Sequence, residues 1–341
     1  MTILSRLAAA ALGLTLALPV SAQEVTLRLH QFLPEQSFVP AQILTPWIAR
    51  IEAESGGRIR IEHYPSMQLG GKPSDLVDQA VDGVVDIIWS LPGYTPGRFP
   101  RTEVFELPFM VRDAEAASRA YWELAEAEMM DTDFRDLHLL GTWVHGRGVI
   151  HSARPVEKLE DMVGLKLRAP SRVTTRLLEA LGATAVGMPV PAVPEQLSKG
   201  VIDGALLPWE VSASLRVGEL VKNHTEFPER GIYVATFILA MNKDAYAALS
   251  PDLQAVIDAA SGAGFSAEAG RLQQGEDVPS RKTAEDLGNA IVVLSPEEAA
   301  RWEAAAAPVT QAWIAEMEAQ GIDGQALYDA ARAAIEKNET P

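Results

Sequence analysis

The sequence predicts a two-lobed α/β protein in which each lobe is a mostly parallel sheet flanked by helices. Three observations lead there. From residue 25 onward, short β-rich runs alternate with amphipathic helical runs, the pattern of parallel strands joined through covering helices. The pattern restarts near residue 165. A fragment also recurs: "DQAVDGVVDIIWSLP" and "PEQLSKGVIDGALLP" each give a helix end, Gly, Val, an aliphatic residue, Asp, an apolar run and Pro, with Gly83 and Gly200 matched. One recurrence is not a solenoid period, so it reads as two lobes of related topology. With 341 residues, 48% of them hydrophobic, the chain can build one large core or two medium ones.

Each element has a local reason. Residues 25–29 alternate and are rich in β-formers, giving the first strand. A helix is expected over 40–55, where Ile43, Trp47, Ile48 and Ile51 share one face and Gly56-Gly57 ends it. Residues 58–64 alternate Ile59, Ile61 and His63, a second strand. A helix over 74–81 closes at Gly83, and 84–89 is a short apolar strand. In the second half, 165–168 reads as a strand and 171–181 as a helix stopped by Gly182. Residues 183–188 follow as a strand and 194–198 as a helix. Gly200 and the Asp203-Gly204 turn then lead into a strand over 205–207.

Residues 1–22 are set apart as a signal peptide. One positive charge, Arg6, precedes an apolar run over 7–18, too short to span a bilayer comfortably, and Val20-Ser21-Ala22 is a small-residue cleavage site. The mature chain is expected to begin near Gln23 and to be exported. No Cys follows, so no lipid anchor is expected. The formal net charge is −17, which argues against nucleic acid or anionic lipid as partners, since both need a basic footprint. With no Cys there is no disulfide, thiol nucleophile or Cys-based metal site. The six His are scattered and form no zinc-ligand spacing; there is no Gly-x-Ser-x-Gly elbow, phosphate loop or dinucleotide fingerprint. His145 and His151 read as structural. No enzyme activity, cofactor or metal is expected.

Ligands of open parallel sheets bind beyond the carboxyl ends of the strands. The expected strand ends bring together Phe32, Trp89, Ser90, Leu91, Arg168, Leu207 and Trp209. Arg168 is the sharpest of these: it ends "LKLR" before Ala-Pro, where the backbone must turn, and its fork can take a carboxylate bidentately. Taken alone, an Arg there could as well be a surface ion pair.

The chain resembles the solute receptors of tripartite ATP-independent periplasmic transporters, the DctP-type family, over nearly all of its mature length. The resemblance rests on "ESGGRIRIEHYPSMQLGG", "VDGVVDIIWSLPGYTPGRFP", "FELPFM", "RPVEKLEDMVGLKLRAPS", "LEALGATAVGMPV" and "LSKGVIDGALLPWE", in that order. It implies two α/β lobes joined by crossing segments and a long helix, closing on an organic acid. It implies that Arg168 binds the carboxylate and that Arg147, in "HGRGVI", is a second cleft Arg. It also implies small and large membrane subunits as partners; a monomer is expected.

The chain departs from the family where Glu-Asn-Pro commonly follows the Asp-Gly turn. Leu206, Leu207 and Pro208 stand there, and an apolar residue in place of an amide cannot satisfy a buried hydroxyl or second carboxylate. Leu91 and Tyr94 show the same drift in the loop after Ser90. Trp209, Trp89, Phe32 and Tyr94 could wall a ring, and Glu210 could orient an Arg, meet ligand or be solvated. By strand alternation one of Leu206 and Leu207 belongs to the core. The expected ligand is a monocarboxylate with an apolar or aromatic body. The alternatives are a small 2-oxo or hydroxy acid, a C4-dicarboxylate, a sensor-coupled receptor, and at the margin a periplasmic enzyme. Lobe one is expected to hold 23–146 and about 237–276, and lobe two 147–236 and about 277–341.

Overall fold

The computed structural model describes residues 24–339; the expected signal segment, 1–22, lies outside them. Among the described residues eleven strands form two sheets. In chain order they are β1 (Val25–His30), β2 (Ile59–Tyr64), β3 (Ile87–Ser90), β4 (Leu137–Val144), β5 (Val149–Ser152) and β6 (Lys166–Ala169). The remainder are β7 (Thr184–Gly187), β8 (Gly204–Leu207), β9 (Asn223–Glu226), β10 (Thr236–Asn242) and β11 (Ala290–Val293). The first sheet has the order β2-β1-β3-β10-β4 and the second β11-β9-β5-β8-β6-β7. Each is mostly parallel with a single reversed strand, β10 in the first and β5 in the second. The two-lobed α/β class is the one the sequence predicts.

The helix Thr45–Glu54 buries Trp47, Ile48 and Ile51 against the first sheet's core, as its spacing requires. Its expected first turn is instead a widened π turn, Val39–Leu44. Pro46 has no N–H to give, and Thr45 N–H reaches back five residues to Pro40 O. The expected strand over 84–89 begins only at Ile87, because Val84 and Val85 spend their N–H groups on Gln79 O to close the preceding helix.

The reversed strands are consequences of the crossings. β4 leads into β5 through residues 145–148, and β9 returns to β10 through 227–235. These segments bond to each other: Gly148 N–H donates to Tyr233 O at 3.0 Å, and Ala235 N–H donates to His145 Nε2 at 2.9 Å. Gly148 must be glycine, since a Cβ there would come within 2.6 Å of the Tyr233 carbonyl and run into its ring. A third connection is helical. Gly262–Gly275 packs on the first lobe's Ala114–Glu128 and β4, and Asp277–Asp286 packs on the second lobe's Trp209–Ser214.

Pro296–Ala319 packs on Arg172–Ala180, in the second lobe. The last helix, Gly324–Glu339, does not stay there: its Leu327, Ala331 and Ile335 stripe is buried, and the helix lies along Ala114–Glu128 of the first lobe. Lys337 and Asn338 reach Glu123. This differs from the expectation that all of 277–341 completes lobe two. Among the described residues no helix is long and apolar enough to cross a membrane.

Candidate functional site

A cavity of about 370 Å³, counting the open solvent at its mouth, lies between the lobes against the crossing segments. Arg168 reaches it from the end of β6. The strand puts Leu167 on the opposite face, and Pro170 turns the chain away immediately after. The side chain is 2% exposed. Arg168 Nε donates to Met188 O at 3.0 Å and Nη1 to Leu206 O at 3.1 Å. These carbonyls fix the guanidinium plane without cancelling its charge. Among the described residues no carboxylate pairs with Arg168, whereas Arg172, four residues on at the start of the following helix, is paired with Glu103 and Glu316. A buried cation with dipoles but no counter-ion among the described residues leaves a charge that an anion could satisfy.

The walls beside Arg168 are aromatic and aliphatic. Phe32 stacks on Trp89 with centroids 4.5 Å apart, and Phe237 lies 5.5 Å from Trp89. Tyr94 meets Phe32 edge-on at 5.6 Å. Leu91 and Leu207 fill the gaps. Burial raises Tyr94 and Tyr233 above the usual phenol range, while the Arg168 charge pulls both back down, so both hydroxyls sit near the guanidinium. Val190 N–H donates to the Tyr94 hydroxyl at 2.9 Å, a bond from one lobe to the other across the cavity.

The opposite end is polar. Trp143 Nε1–H donates to Gln273 Oε1 at 3.0 Å, which orients the amide so that Gln273 Nε2–H donates to Glu210 Oε2 at 2.9 Å. Burial pushes the Glu210 carboxyl up to about 7. Its backbone N–H donates to Asp277 Oδ1, and burial pushes that carboxyl up to about 8. His145 is neutral by construction. Its Nε2 accepts from Ala235 N–H and its Nδ1 meets Gly146 O, and burial lowers it to about 4.

Seven of the expected site residues line this cavity: Phe32, Trp89, Leu91, Tyr94, Arg168, Leu207 and Glu210. Three do not. Arg147 is exposed and turns to Glu229 O at 3.4 Å, because the segment bends at Gly146 and gives His145 the inward place. Trp209 begins a helix directly after Pro208, so strand alternation stops there and Glu210 turns inward instead. The Trp209 indole donates to Glu226 Oε1 at 2.7 Å and packs on His151 and His224. Ser90 alternates with Trp89 and faces away, its Oγ buried in the first lobe. Leu206 is the core member of the leucine pair. Tyr233, Phe237 and Gln273 carry no local signal; they arrive from the return crossing and the connecting helix.

These buried groups set the pH response. Glu106 and Glu210, held up to about 7, and Asp277, held up to about 8, bind protons more tightly folded than unfolded. Their contribution is full below the ordinary carboxylate range and is lost as pH rises through 7–8. His145 and His224, lowered to about 4, contribute above about 6.5 and lose it as pH falls toward 4. Between pH 6.5 and 8 only the carboxylates change. The melting temperature is therefore expected to fall across that window, and less steeply in Asp277→Asn; a rise in the wild type would contradict the assignment.

The sequence profile of the bacterial extracellular solute-binding proteins of family 7 matches residues 31–317. Three solved structures are similar. A solute-binding protein of tripartite ATP-independent periplasmic (TRAP) transport from Rhodoferax ferrireducens, in complex with copurified benzoate, is 49% identical, with a TM-score of 0.91 over 92% of this chain and 98% of that one. A marine metagenome protein of the same kind, specific for aromatic acids and holding 3-hydroxybenzoate, is 44% identical, with a TM-score of 0.91 over 94% and 100%. A periplasmic one from Bordetella bronchiseptica, with bound (R)- and (S)-mandelate, is 31% identical, with a TM-score of 0.85 over 92% and 99%.

Proposed function

The chain belongs to the bacterial extracellular solute-binding proteins of family 7, the DctP family, and from that premise we infer that it is a receptor of tripartite periplasmic transport for an aromatic monocarboxylate. The observation that carries the reading is Arg168: a buried guanidinium with no carboxylate partner among the described residues, opening onto a slot of rings and leucines. The carboxylate of the ligand supplies the missing charge, and Tyr94 and Tyr233 add hydroxyls beside it. Phe32, Trp89, Leu91 and Leu207 contact the ring. The relatives with benzoate, 3-hydroxybenzoate and mandelate support this ligand class.

Binding contacts come from both lobes, so ligand favours the closed form, which is delivered to the small and large membrane subunits. No catalytic step is needed. The exported protein is read as a monomer beginning near Gln23 without lipid, which its intact mass checks. A dicarboxylate suits the cavity poorly. Arg168 is the one cationic side chain among its described lining residues, and Leu207 stands where a polar partner would be needed.

Thermal-shift measurements test the reading. Benzoate and its derivatives are expected to raise the melting temperature well above the effect of succinate, malate, pyruvate or hexuronates. At a hundredfold excess over Kd, binding stabilises by about 2.7 kcal/mol. A shift with pyruvate or a dicarboxylate and none with aromatic acids would assign the site to small acids instead.

A further inference from the structure

We propose that Glu210, held by Gln273, reads a hydroxyl group on the ligand's ring, at the end away from Arg168. The inference rests on the aromatic-acid reading above and assigns a substrate class within it: hydroxylated aromatic acids over their unsubstituted parents.

Glu210 is 1% exposed and lines the same cavity as Arg168. The two groups are held by different elements: Arg168, at the end of β6, by Met188 O and Leu206 O, and Glu210, in the first turn of the helix Trp209–Ser214, by Gln273 and Asp277 of the connecting helices. No cation neutralises Glu210 among the described residues. Its hydrogen-bond capacity is half used. Because an indole can only donate, Trp143 fixes the Gln273 carbonyl toward itself and the NH₂ toward Glu210 Oε2. Glu210 Oε1 has only Ser214 Oγ, at 3.5 Å, too long for a good bond. A second unused group belongs to the same cavity lining: Trp89 Nε1 is buried without a partner, and its ring lies parallel to that of Trp143 at 6.2 Å.

An unsubstituted ring would leave both groups unsatisfied, at a cost in affinity. A ring hydroxyl can donate to the Glu210 carboxylate and still accept from an N–H. A site built around such a hydroxyl rejects the analogue that lacks it more strongly than an apolar pocket can.

The test is calorimetry with benzoate, 3-hydroxybenzoate, 4-hydroxybenzoate and their methoxy counterparts, on the wild type, Glu210→Leu and Glu210→Gln. In the wild type at least one hydroxybenzoate is expected to bind about tenfold tighter than benzoate and than its own methoxy ether, which cannot donate. Whatever Glu210→Leu does to benzoate itself, the ratio of hydroxybenzoate to benzoate is expected to fall to about threefold or less, with Glu210→Gln between. A wild-type ratio near one, or a ratio unchanged in Glu210→Leu, overturns the inference. If Glu210→Leu does not fold, the wild-type hydroxy-to-methoxy comparison and Glu210→Gln decide. Benzoate binding without hydroxyl preference overturns this inference alone; no aromatic-acid binding at all overturns the ligand reading with it.

Discussion

Arg168→Ala is expected to remove about 2–5 kcal/mol of aromatic-acid binding, as for truncating one partner of a buried charge pair, or roughly 30- to 5,000-fold in Kd. Arg168→Lys should recover little. The guanidinium is aimed by two carbonyls, Met188 O and Leu206 O, which engage different nitrogens of one plane, and an ammonium cannot reproduce that fork. Stability should move the other way. Without ligand, Arg168 is a buried charge without a counter-ion among the described residues, so Arg168→Met is expected to hold or raise the melting temperature while binding is lost. Calorimetry on all three variants checks both halves. Near-native affinity in Arg168→Ala and Arg168→Lys would remove Arg168 from the carboxylate site.

Trp209→Ala is the second large effect, and it is one of stability. The indole is 3% exposed and holds together a part of the second lobe outside the lining of the Arg168 cavity. It donates to Glu226, which also accepts from Arg281 Nε at 2.9 Å. Its ring meets His151 edge-on at 5.0 Å and His224 at 4.9 Å. Those two histidines share a hydrogen bond of 2.7 Å between their Nδ1 atoms. His151 Nε2–H can donate to Leu207 O, so His151 Nδ1 is the acceptor and both rings are neutral. Losing the indole costs about 3–5 kcal/mol, the range for a large aromatic removed from a core. The melting temperature should drop, while the affinity of the remaining folded protein for benzoate changes little. A loss of affinity as large as that of Arg168→Ala, with the melting temperature unchanged, would return Trp209 to the ligand wall.

The sequence by itself determined the α/β class, the order of the early elements, the place of Arg168 at a strand end and most of the apolar wall, while the expectation that Arg168 takes a carboxylate came from the family resemblance. Each of the former is a local matter. Period-two and helical repeats are written within a few residues, and a strand's last side chains must face whatever lies beyond its carboxyl end. Trp89, Arg168 and Leu207 were legible for that reason, while Phe32 and Leu91 were placed only as loop residues just past the ends of β1 and β3. Periodicity carries no information past the end of its element. Arg147 and Trp209 sit just beyond such ends, where a bend at Gly146 and a helix start at Pro208 changed which neighbour faces inward, bringing in His145 and Glu210. Ser90 failed by the same rule that placed Trp89. Tyr233, Phe237 and Gln273 were decided only by the tertiary structure. The first two lie on or just after the return crossing and Gln273 on the connecting helix, so nothing near them in sequence indicates a cavity. The buried charge of Arg168 was likewise invisible locally, because an unpaired cation is defined by the carboxylates that the fold keeps away from it.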